Sequence, residues 1–148
     1  MLKQILFSIL LLFYQFTHLQ TNSTHPNFIL ILADDQGWNG TSVKMINDND
    51  LSMSDFYETP NIERITEKGV IFSNAYASAP VCAPSRYSIQ FGQTPARLKM
   101  IRVGMNTDHI DHNKLSIPKQ LKEINSEYRT AHFGKWGMDS TPENIGYD

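Results

Sequence analysis

Asn27-Phe-Ile-Leu-Ile-Leu-Ala33 runs without a charge into Asp34-Asp35, and the reading of this stretch decides the fold. An apolar run without polar alternation is what a strand covered on both faces requires, which is the environment of a parallel sheet flanked by helices. The pattern downstream agrees. Thr59-Pro60 supplies a helix start, Ile62 and Ile65 an apolar stripe, and Gly69 a stop. Val70 to Tyr76 reads as a second strand. A helix is expected after Cys82, opening at Pro84 and ending near Gly92, and another from Ser116 to Ile124. Tyr128 to Phe133 is the third strand, running into Gly134-Lys135-Trp136. Strands alternating with helices predict an α/β class with a mixed, mostly parallel sheet and flanking helices.

The chain has 148 residues, with 13 Lys and Arg against 15 Asp and Glu for a formal net charge of -2. That balance lacks the basic excess that phosphate neutralisation needs, so no nucleic-acid partner is expected. A single cysteine, Cys82, excludes a disulfide framework within the chain. Before Asp34 the only formal charge is Lys3, followed by the apolar run Ile5 to Phe16, which is too short to span a membrane. It predicts a signal peptide over residues 1–21, leaving 22–148 as a secreted or periplasmic chain with no stable membrane span. Without Lys3, 12 cationic residues face 15 acidic ones, a balance of -3. Asn22-Ser-Thr and Asn39-Gly-Thr fit the glycosylation acceptor pattern.

Ligands of open α/β sheets bind beyond the carboxyl ends of the strands, and three polar groups fall there: Asp34-Asp35, Cys82 to Arg86, and Lys135. Two adjacent carboxylates behind an apolar strand suit a hard divalent cation, although Asp-Asp-Gln-Gly is also good turn chemistry. Cys82 stands at the mouth of a helix with a guanidinium four residues on, and both features attract negative charge. A phosphatase loop of the Cys-x5-Arg type is excluded, because Ser88 occupies the arginine position. His109 and His112 are expected in a polar loop, and His132 as a packed histidine.

Cys82-Ala-Pro-Ser-Arg86 resembles the C-x-P-S-R signature of the type I, formylglycine-dependent sulfatases. Residues 26–35, Thr59 to Ile65 with Gly69 to Tyr76, and Tyr128 to Trp136 resemble that family's other motifs, in the same order. The resemblance implies an alkaline-phosphatase-like fold and sulfate-ester hydrolysis on a sulfated small molecule or glycan. It implies that Cys82 is converted to Cα-formylglycine by a formylglycine-generating or other sulfatase-maturing enzyme. As a gem-diol, that residue is the nucleophile and a metal ligand. Asp34 and Asp35 would ligate calcium, with magnesium as the alternative, while Arg86 would hold the formylglycine and Lys135 a sulfate oxygen. Two departures stand out. Gln90-Phe-Gly-Gln93 replaces the common Leu-Thr-Gly-Arg element, and Gly137 replaces the histidine of Gly-Lys-Trp-His.

Because the family's remaining ligands lie later in the domain, 22–148 is expected to be its N-terminal portion, with little or no activity alone. A phosphonate or phosphate monoesterase of the same superfamily and a non-catalytic secreted binding protein are the alternatives.

Overall fold

A computed structural model describes residues 25–148; the signal-peptide reading and Asn22 lie outside them. The chain divides into two compact units, Met1–Ala33 and Asp34–Asp148. Of the first, residues 25–33 are described, and they form neither helix nor strand.

The second unit carries three helices, α1 (Pro60–Thr66), α2 (Cys82–Phe91) and α3 (Ile117–Ile124), with 3-10 turns at Asp50–Ser52 and Pro142–Ile145. Each helix lies within two residues of its expected span. Pro60 opens α1 from Thr59, but the Thr59 hydroxyl does not cap it. That oxygen accepts the Ser42 amide at 3.0 Å instead. The stripe on α1 is not buried, with Ile65 63% exposed. Gly69 sits in close approach to the helix end, where a Cβ would lie 3.0 Å from the Ile65 carbonyl oxygen, tighter than side chains ordinarily pack. Gly92 ends α2 in the left-handed conformation at φ 59°, its amide donating to Ser88 O.

The core forms around α2. Ala83, Tyr87 and Phe91 recur at a spacing of four and pack with Leu98, Met100, Ile110 and Ile145. Two hydrogen bonds tie this helix to the last part of the chain: Asp139 N–H donates to Tyr87 Oη at 3.1 Å, and Tyr147 Oη–H donates to Gln90 Oε1 at 3.1 Å. Ser116 at the start of α3 donates from Oγ to Ile145 O at 2.5 Å.

The three expected strands are not formed among the described residues. A strand exists only when a neighbour supplies the hydrogen-bond ladder, and 27–33, 70–76 and 128–133 find none there. Their apolar side chains stay exposed, as at Phe72 and Phe133. The third segment is pinned otherwise: Thr130 N–H donates to Asp148 Oδ2 at 2.7 Å, and Asp148 N–H donates back to Thr130 O at 3.0 Å. Among the described residues, no helix is long and apolar enough to cross a membrane.

Candidate active site

The first turn of α2 and two loops bring the candidate residues together. Cys82 is the first residue of the helix and half-buried. One turn on, Arg86 is 8% exposed. Its Nη2 lies 3.6 Å from Asp34 Oδ1, and its Nη1 donates to the backbone carbonyl of Lys135. The Lys135 ammonium donates to Asp34 Oδ2. Asp34, Arg86 and Lys135 therefore form a closed triangle, although Asp34 and Lys135 are 101 residues apart in sequence.

Mutual charge sets the protonation states. The Asp34 carboxyl is held below its ordinary 3.8, first by the hydrogen bond from Lys135, with the Lys135 and Arg86 charges adding and burial opposing. Lys135 is held above its ordinary 10.5, first by the hydrogen bond to Asp34; the charges of Asp34 and of a Cys82 thiolate add, while burial and Arg86 oppose.

Asp35 stands apart from the triangle, exposed and in the left-handed conformation at φ 59°. Aspartate tolerates that region better than most residues, and such backbone strain clusters at ligand sites. The two aspartates are hard oxygen donors of the kind a divalent cation takes. They fit such an ion in kind and would supply part of the six to eight oxygen ligands that calcium takes. Among the described residues, no group of three or more His, Cys, Asp or Glu gathers as a metal site.

The histidines are placed individually. His132 Nε2–H donates to Lys135 O at 3.3 Å, and its ring packs edge-on to Trp136 at 4.8 Å and Tyr147 at 6.0 Å. It is a packed histidine that steadies the carbonyl to which Arg86 is bound. His109 Nε2–H donates to Leu98 O at 2.8 Å. His112 differs from the polar-loop expectation: its ring stacks on Phe91 at 6.2 Å and Tyr87 at 6.5 Å, so it extends the aromatic core.

Two participants escaped the sequence. The Lys135 backbone carbonyl carries no side-chain signal at all. Gly137 registered only as a missing histidine, whereas its α-carbon faces Arg86, and a Cβ there would lie 3.0 Å from Arg86 Cδ.

Comparison with known proteins follows the same residues. The sulfatase family model matches residues 26–148. The chain is 30% identical over 145 residues to steryl-sulfatase of Homo sapiens, covering 93% of this chain and 23% of that protein. It is 32% identical over 124 residues to N-acetylgalactosamine-6-O-sulfatase of Bacteroides thetaiotaomicron, covering 82% of this chain and 22% of the relative. To the ulvan-active sulfatase of Formosa agariphila it is 29% identical over 120 residues, covering 81% and 21%. The chain thus spans less than a quarter of the length of these relatives. No solved structure matches. With the signature helix, the aspartate pair and the lysine loop all inside the matched span, the chain belongs to the sulfatase family.

Proposed function

We propose that the whole protein is a sulfuric ester hydrolase whose nucleophile derives from Cys82, acting outside the cytoplasm on a sulfated glycan. The observation that carries this reading is the Asp34–Arg86–Lys135 triangle at the end of α2 that bears Cys82. Family membership implies the alkaline-phosphatase-like fold and a sulfated substrate. The names of two relatives, one for an amino-sugar sulfate and one for ulvan, favour a glycan over a sterol.

In this reading Asp34 and Asp35, together with further donors, would hold a divalent cation, calcium by family habit, which would supply Lewis-acid chemistry there. Cys82, oxidised to formylglycine by a separate maturing enzyme with its own oxidant and then hydrated, would supply one hydroxyl that attacks sulfur as the ester S–O bond breaks and the alcohol leaves, and a second whose deprotonation expels sulfate and restores the aldehyde. Arg86 and the α2 N-terminus fix residue 82 and offset negative charge. Lys135, raised above its ordinary pKa and half-exposed, stays cationic and offers its ammonium to a sulfate oxygen as charge develops there. Residues 22–148 are the N-terminal portion of the catalytic domain and alone hydrolyse little or nothing.

Mass spectrometry of the Cys82 peptide, from a host with a maturing enzyme, tests the core of the proposal. Conversion of thiol to aldehyde, a loss of about 18 Da, supports it, and an unmodified thiol sinks it in favour of a binding protein. Turnover by the whole protein then separates substrates. Aryl sulfate above aryl phosphonate supports the sulfatase, and the reverse order selects the phosphonate hydrolase. N-acetylgalactosamine 6-sulfate against steryl sulfate tests the glycan.

A further inference from the structure

Arg86 passes Gly137 on its way to Lys135 and Asp34. A Cβ built at Gly137 would lie 3.0 Å from Arg86 Cδ and 3.4 Å from Nε, tighter than side chains ordinarily pack. Arg86 has little room to yield. It is 8% exposed, Nη1 and Nη2 are committed to Lys135 O and Asp34, and Nε is buried with no hydrogen-bond partner. A displaced guanidinium therefore disturbs its contacts with both Lys135 O and Asp34.

We propose that Gly137 is a positioning residue. Its missing side chain is the space through which Arg86 is aimed at the Lys135 carbonyl and Asp34, which couples the Cys82 end of α2 to the lysine loop. Any side chain at this position would press its Cβ against the Arg86 stem, so the glycine and the path of the arginine are one arrangement. The sulfatase reading supplies the catalytic part of this inference; the packing part stands without it.

Gly137 also has a φ of 67°, a conformation that by itself favours glycine. Asparagine separates the two roles, because it enters the left-handed region several-fold more readily than alanine but carries a Cβ. The experiment compares Gly137→Ala and Gly137→Asn in the whole protein, with Cys82 conversion verified by mass spectrometry. Both variants should lower kcat on aryl sulfate by about 10- to 100-fold, the range that a misplacement of about 1 Å produces, with a much smaller change in KM. A Gly137→Asn variant with the parent kcat overturns the proposal.

Thermal unfolding supplies a readout independent of activity. In an Arg86→Ala background the obstructed side chain is gone, so the fall in Tm caused by Gly137→Ala should shrink by half or more. An equal fall in both backgrounds overturns the inference. A shrunken fall in a protein that hydrolyses no sulfate ester supports the packing relationship while the sulfatase reading fails.

Discussion

The backbone carbonyl of Lys135 accepts a hydrogen bond from Arg86 Nη1, and the same residue's ammonium donates to Asp34. One residue thus holds both corners of the triangle, the first through its backbone and the second through its side chain. Substitutions of Lys135 separate these two roles, since they remove the ammonium and leave the carbonyl.

Lys135→Met should therefore leave Arg86 in place while releasing Asp34. The Asp34 carboxyl then rises toward its ordinary value, because the largest cause of its depression is gone. Carboxyl chemical shifts followed by NMR titration measure this directly. In the parent, the pair's contribution is present above the ordinary aspartate pKa and is lost as pH falls through the depressed Asp34 value. At the other end it is lost as pH rises through the raised Lys135 value, above 10.5. On aryl sulfate, kcat should fall by about 100-fold or more, as for loss of one oxyanion donor. An unmoved Asp34 titration would contradict the pairing.

Asp35 offers a contrast between backbone and charge. Asp35→Gly should relieve the strain of φ 59° and raise stability by about 1 kcal/mol. Asp35→Asn keeps a residue suited to that backbone and removes the carboxylate. Both variants should weaken calcium binding by the whole protein in calorimetry. If the glycine variant binds calcium as the parent does, Asp35 is a turn residue and nothing more.

The candidate site was more legible in the sequence than the fold. Asp34-Asp35, Cys82 to Arg86 and Lys135 each follow an expected strand, and the α/β pattern predicts that such groups converge beyond the strand ends. Helices could be bounded closely because their signals are local: Pro60 opens α1, and Gly92 closes α2. Strands are different, because the ladder of 27–33 or 70–76 depends on what lies beside it, which no local pattern encodes. Gly137 illustrates a third case. Its glycine could be seen, but the reason for it, the Arg86 stem 3.0 Å from the missing Cβ, lies 51 positions away and exists only once the chain is folded.

Asp148 sets the acid limit of the segment leading to Lys135. Its carboxyl accepts from the Thr130 amide at 2.7 Å and pairs with Lys122 at 2.9 Å, and these partners lower its pKa from 3.8 to about 2. A depressed carboxylate stabilises above its unfolded pKa, and the contribution disappears as pH falls through the folded one. Amide exchange at Thr130 should accordingly stay slow down to about pH 4 and accelerate between about pH 4 and 2. In Asp148→Asn the acid-dependent step should vanish, because nothing remains there to titrate. A step that persists in that variant would assign it to another group.

Tyr87 joins the core to the loop beyond Lys135, and two substitutions weigh its ring against its hydroxyl. The ring is fully buried and stacks with Phe91 at 6.2 Å, while Oη accepts the Asp139 amide at 3.1 Å. Tyr87→Phe keeps the packing and leaves that N–H without its partner, a cost of about 1 to 3 kcal/mol. Tyr87→Ala opens a cavity at the centre of the cluster and should cost about 3 to 5 kcal/mol, measured by denaturant unfolding. The signature helix presents Cys82 and Arg86 from one end and buries Tyr87 and Phe91 nearer the other, so cavity formation should also loosen the site. Arg86 protection against exchange should fall in Tyr87→Ala and hold in Tyr87→Phe. Equal loss in both variants would mean that the hydroxyl, not the packed ring, anchors the helix to the lysine loop.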